Sequence, residues 1–204
     1  MLHCDHVTFR YDKLPVIDHL SYSFPKGQVT AIVGESGIGK TTLFSLLCGL
    51  LRPHEGKILH DGEKIAVAFQ EARLFPWMSA LENVRAVSPK EKERARELLI
   101  ALGLEDALHL LPDELSGGMK QRVSLARTLQ YDADIILLDE PFTGLDAETK
   151  KRVVDYLFSS LRGKTVIMIT HGTEDLAYAN TVLRLTKAPD SRLELVKSST
   201  REGE

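Results

Sequence analysis

Three stretches of this chain are apolar with almost no polar interruption: Val29-Thr30-Ala31-Ile32-Val33, Ile135-Ile136-Leu137-Leu138 and Val166-Ile167-Met168-Ile169. Short, β-branched runs without alternation predict strands buried on both faces. Helical patterns separate them, which predicts a parallel sheet in an α/β core. A helix starting at Lys40 carries Leu43, Phe44, Leu46, Leu47, Leu50 and Leu51 at helical spacing; it should end near Gly49, because Pro53 opposes continuation. A second helix runs through Val123, Leu125, Ala126 and Leu129, and a third covers residues 147–161.

At the N-terminus, residues 2–9 and 18–24 read as strands separated by a polar turn containing Pro15, with Tyr11 on that loop. Together they imply an antiparallel β subdomain. Pro25-Lys26-Gly27-Gln28 is a tight turn. Short strands are expected at 57–60 and 65–69, joined as a hairpin by Asp61-Gly62, and the second delivers Gln70 at its end. From residue 75 to 111 the character changes. Ser79 or Ser88 can cap helices, and 90–102 sets Ala95, Leu98, Leu99 and Leu102 against a charged, solvated face. This reads as a helical subdomain at about 75–129, inserted into a single domain over 1–204. Residues 182–185 and 193–196 read as terminal strands, and 198–204 as a tail.

Composition narrows the class. The 204 residues are 43% hydrophobic and 27% charged, as in a soluble globular protein, and are enough for one sizeable core. A net charge of −3, with Lys and Arg spread along the chain, offers nucleic acid no footprint. Two cysteines make no disulfide framework and point to a reducing cytosol. His3, Asp5 and His6 stand where a signal peptide needs an apolar run, and no apolar stretch approaches the ~20 residues that span a bilayer. His3 and Cys4 point to opposite strand faces, with no second ligand pair at zinc-like spacing.

The chemistry gathers where strands end. Gly34-Glu35-Ser36-Gly37-Ile38-Gly39-Lys40-Thr41 fits G-x-x-x-x-G-K-[ST] between a strand and a helix, the context that pattern requires. Glycines let backbone N–H groups wrap phosphate oxygens, Lys40 reaches the terminal phosphates, and the Thr41 hydroxyl helps hold Mg²⁺. Asp139 follows an apolar strand and suits the metal, and Glu140 is left to orient or deprotonate an attacking water. His171 and Gln70 lie at two more strand ends. Leu115-Ser116-Gly117-Gly118-Met119-Lys120-Gln121 is a second glycine loop opening a helix, without the lysine and threonine of a full phosphate site. It reads either as a plain helix start capped by Ser116 or as part of a site on another copy of the chain.

Together these motifs closely resemble the ATP-binding-cassette ATPases over nearly the whole chain. By that resemblance residues 34–42, through Thr42, are the Walker A loop and Gln70 is the Q-loop glutamine, which the resemblance groups with Thr41 and Asp139 around the metal. Leu115 to Met119 are the family signature, and 135–140 are Walker B with its catalytic glutamate. Gly144-Leu145-Asp146 form the D-loop, and His171 is the switch histidine. The resemblance places Tyr11 on the adenine, with Val16 beside it. It implies a head-to-tail pair of copies enclosing two ATP molecules, with Ser116, Gly117 and Gly118 of one facing the γ-phosphate held by the other.

Gln70-Glu71-Ala72-Arg73-Leu74-Phe75-Pro76-Trp77 is similar to importer ATPases of the nitrate, sulfonate and taurine group. That likeness implies an energy-coupling subunit of a membrane importer. It would sit in the cytoplasm on the inner face of the membrane, with integral permease subunits and a substrate-binding protein as partners. Phe75, Pro76 and Trp77 would offer apolar surface to a permease helix, unless they pack within the helical region. Alternatives are a soluble non-transport cassette ATPase and an exporter or lipoprotein-release type. The sequence departs from the family in a short 62–70 segment, a compact 81–115 region, Gly172 where relatives carry Asp, and an end soon after the sheet without an added regulatory domain.

Overall fold

In the computed structural model, described here for residues 1–198, the elements run β1 (His3–Tyr11), β2 (Leu14–Ser23), β3 (Val29–Val33), α1 (Lys40–Leu47), β4 (Glu55–Leu59) and β5 (Ile65–Ala68). They continue through α2 (Ala80–Arg85), α3 (Lys92–Ala101), α4 (Gly117–Gln130), β6 (Ile135–Asp139), α5 (Ala147–Ser160), β7 (Thr165–Ile169), β8 (Thr181–Leu185) and β9 (Leu193–Ser198). The expected tail lies outside the described residues, save Ser198, which closes β9.

The six-stranded sheet has the order β5-β6-β7-β3-β8-β9, parallel except for β9 at one edge. Its alternation explains the continuous apolar runs. Ile135, Leu137, Ile167 and Ile169 enter one core with α1 and the small sheet, while Ile136, Leu138, Val166 and Met168 enter the other with α4 and α5. Helix α4 turns Val123 and Ala126 into the second core, where Ala80, Val84, Ala95 and Leu99 of α2 and α3 join it. Register then lines up the strand ends: Asp139 stands opposite Ile169, and Ile169 opposite Ile32. The phosphate loop, Glu140 and His171 therefore leave the sheet at the same end of its strands.

The second sheet is antiparallel, in the order β2-β1-β4. Pro15 lies inside β2, not in a turn; β2 is an edge strand, where a missing N–H costs no ladder bond. The turn is Asp12-Lys13, closed by the pairing of Tyr11 with Leu14, and Tyr11 is the last residue of β1. The hairpin expected at Asp61-Gly62 does not form, because its two strands belong to different sheets. Residues Ile65–Ala68 are apolar throughout and pair in parallel with β6, whereas exposed β4 pairs with β1. Ser79 caps α2 through a reciprocal bond with Glu82, while the position before α3 is Glu91 and not Ser88.

Gly56 is the tightest backbone approach in the small sheet. It has φ +73°, and a Cβ there would lie 2.2 Å from the His6 carbonyl oxygen and 2.3 Å from that of Asp5, both main-chain atoms beside a bulge in β1. We expect Gly56→Ala to cost about 3 kcal/mol, a fall in melting temperature on the order of 10 °C by thermal denaturation. An unchanged melting curve would contradict this packing.

Candidate functional site

Helix α1 begins directly at the phosphate loop, with Gly39 as its N-cap at φ +111°. A Cβ at Gly39 would approach Val16 Cγ1 to 2.9 Å, so the small sheet presses against the loop where only glycine fits. Lys40 Nζ donates to the carbonyls of Gly34 and Glu35, each at 2.8 Å. Lys40 is buried, and burial lowers its pKa against the opposing pull of Glu140 and Asp139.

An open cleft of about 470 Å³ lies over this loop. It is lined by Tyr11, Val16, Ser36, Gly37, Gly39, Lys40, Thr41, Thr42, Gln70, Glu140, Ile169 and His171. Residues from the small sheet, the loop and three sheet strands thus meet in one place. Tyr11 is 53% exposed at the rim and packs edge-on against Phe9 at 5.0 Å, presenting a free aromatic face. Glu140 has φ +46°, which turns it out of the β6 direction while its N–H still bonds Ile169 O at 2.9 Å. Its Oε1 is 3.1 Å from His171 Nε2, and Gln70 Nε2 is 3.5 Å from its Oε2.

Asp139 lies beneath, 5% exposed. Burial, reinforced by the neighbouring Glu140 charge, pushes its carboxyl up to about 6, with Lys40 and His171 opposing. Asp139 closes β6 and is not itself among the residues lining the cleft; a buried carboxylate this poorly compensated suits a hard divalent cation with oxygen ligands.

Not every expected residue is in the cleft. Gly34, Glu35 and Ile38 line a separate concavity with Arg184, Leu185, Thr186 and Lys187. Asp146 caps α5, accepting from Thr149 N–H at 3.0 Å. Ser116 caps α4, accepting from Met119 N–H at 3.2 Å. Gly118 backs onto the 144–145 turn, where a Cβ would meet Gly144 O at 2.8 Å. The Ser116–Gly118 and Asp146 segments are therefore neighbours of each other and not of the phosphate loop in the same chain.

Two contributors were not foreseen. From α4, buried Gln121 donates to Phe69 O at 3.4 Å, and Arg127 donates to Ala72 O at 2.9 Å and Arg73 O at 3.1 Å. They pin the segment carrying Gln70 to the helix that starts at Ser116. Polar residues in an amphipathic helix were the available signal, but their partners are carbonyls more than 50 residues away. Beside this segment Phe75 is 39% and Trp77 71% exposed, their rings 5.8 Å apart. Trp77 is not buried within the helical region.

A family model described as ABC transporter matches residues 17–143. The chain is 37% identical over 209 residues to an uncharacterized ABC transporter ATP-binding protein, YtlC, of Bacillus subtilis, covering 92% of this chain and 80% of that protein. It is 40% identical over 189 residues to the aliphatic sulfonates import ATP-binding protein SsuB of Zymomonas mobilis, covering 87% and 78%. Among solved structures, an ATP-binding cassette captured as a dimer after hydrolysis, bound to ADP and Pi, superposes with a TM-score of 0.86 at 26% identity over the whole of both chains.

Proposed function

The chain belongs to the ABC transporter ATP-binding family, and from that premise we propose that it is the ATPase subunit of a membrane importer of small anionic or organic solutes. It binds and hydrolyses ATP with Mg²⁺. The observation that carries the reading of its site is the meeting of Lys40, Gln70, Glu140 and His171 in one cleft above the phosphate loop.

The nucleotide's phosphates lie along the loop, where main-chain N–H groups and the start of α1 supply positive potential. Lys40 exchanges the carbonyls of Gly34 and Glu35 for phosphate oxygens, which recovers the solvation that burial removed. Thr41, Asp139 and Gln70 would hold Mg²⁺, whose charge neutralises phosphate oxygens when it is bound. Glu140 accepts the proton of the attacking water, and His171, whose Nε2 lies 3.1 Å from that carboxylate, exchanges it for a γ-phosphate oxygen when nucleotide enters. Tyr11 stacks on the base with Val16 beside it. The Ser116–Gly118 and Asp146 segments serve the site of a second copy. We read the whole as one ATPase domain over 1–204 with a helical subdomain at about 75–129.

Support for import comes from relatives named for aliphatic sulfonate import. Among the described residues no helix is long and apolar enough to cross a membrane. In this reading integral permease subunits form the path across it, and the chain attaches peripherally at the inner face. Exposed Trp77 and Phe75, beside the pinned Gln70 segment, are the surface offered to a permease, and a substrate-binding protein would complete the importer. Affinity isolation of tagged protein from solubilised membranes should recover an integral membrane protein. Trp77→Ala should lower that recovery about tenfold without loss of ATPase activity. Recovery of no integral membrane protein would refute the transport role.

A further inference from the structure

The loop after β7 is held by a buried carboxylate that the chemistry above leaves unused. Asp175 is 4% exposed, and its Oδ2 accepts from Thr170 Oγ1 at 2.6 Å. The same Oγ1 accepts from Gly172 N–H at 3.0 Å, and Asp175 N–H donates back to Gly172 O at 3.2 Å. Thr170 is thus tied to the Asp175 side chain, and Gly172 to the Thr170 hydroxyl and the Asp175 main chain. A Cβ at Gly172 would lie 2.6 Å from Asp175 Oδ2, so the glycine at this position leaves the space the carboxylate fills.

Asp175 is in turn anchored to α5. Its Oδ1 is 2.9 Å from Lys150 Nζ, which also lies 3.5 Å from Glu174. One turn further, Tyr178 donates to Asp155 at 2.7 Å and stacks on Phe158 at 5.0 Å. His171 itself is half-exposed, and among the described residues its side chain pairs with Glu140. Among the described residues no second side-chain bond holds the imidazole, which leaves its flanking backbone to orient it.

We propose that Asp175 is a positioning residue for hydrolysis, locking Thr170 and Gly172 to α5 so that His171 faces Glu140. The proposal rests on the ATPase reading of the cleft. It does not require Asp175 to touch nucleotide. Because α5 opens at Asp146, the same clamp joins the histidine of one cleft to the segment assigned to the neighbouring copy's cleft.

The test is a double-mutant cycle between Asp175→Asn and His171→Ala. Asp175→Asn keeps the side-chain shape and removes the charge facing Lys150. It should lower kcat about tenfold with KM for ATP within about twofold, because loss of alignment acts on the reacting geometry and not on the phosphate loop. In the His171→Ala background the same change should do nothing more. Full, additive loss in that background would overturn the proposal, as would an unchanged kcat. A second readout needs no nucleotide: the Gly172 amide should exchange hydrogen about tenfold faster in Asp175→Asn, and unaltered protection would also overturn it. If Asp175→Asn does not fold, Lys150→Met carries the same cycle. Accelerated exchange in the variant alongside a wild-type protein without ATPase activity would refute the reading of the cleft and leave the clamp standing.

Discussion

Glu140→Gln should bind ATP within about threefold of wild type and turn it over about a hundredfold to ten-thousandfold more slowly, the range expected when a positioned general base is lost. The substitution is isosteric, so the 3.1 Å approach to His171 Nε2 and the neighbouring Gln70 amide keep their geometry. What is lost is the proton acceptor. Removing that charge also relieves the repulsion that raises Asp139, so the pocket becomes less negative toward the triphosphate. Binding should therefore persist or tighten, and ATP that cannot be hydrolysed should hold two copies together. Equilibrium nucleotide binding, steady-state phosphate release and gel filtration with ATP check the three parts. Undiminished phosphate release would sink the assignment of Glu140.

Much of this architecture was legible because physical constraints coincide with local pattern. Strands β3, β6 and β7 are buried on both faces, so their apolar runs announce themselves, and their ends carry the phosphate loop, Asp139 and His171. Errors arose where a local signal was overridden from a distance. Asp61-Gly62 has hairpin chemistry, yet the apolar face on each side of Ile65–Ala68 is worth more against β6 than a two-stranded pairing with exposed β4. Pro15 suggested a turn, but an edge strand accommodates it. The backbone locks were invisible for a different reason. Gln121, Arg127 and Asp175 act on carbonyls and hydroxyls that only the fold brings near, and no spacing in the chain encodes those encounters.

The separation of the two glycine loops leads to the second large effect. Within one chain Gly118 packs against Gly144 and Leu145, and neither it nor Ser116 is among the walls of the cleft that holds Lys40 and Glu140. Ser116 already spends its hydroxyl on the Met119 N–H, but the exposed start of α4 still presents a helix N-terminus suited to an anion. If a second copy supplies that end, one chain binds ATP and two are needed to hydrolyse it. Specific ATPase activity should then rise in proportion to protein concentration while monomer dominates, and level off as dimer forms. Mixing gives a stricter form of the same expectation. Lys40→Ala and Gly118→Asp should each lose about a hundredfold or more in activity. Equal parts of the two should recover roughly a quarter of wild-type turnover, because half the dimers are mixed and each contains one intact composite site. Neither variant can rescue the other if each chain is catalytically self-sufficient. Constant specific activity across concentrations at which sedimentation shows only monomer, together with no recovery on mixing, would refute the shared site.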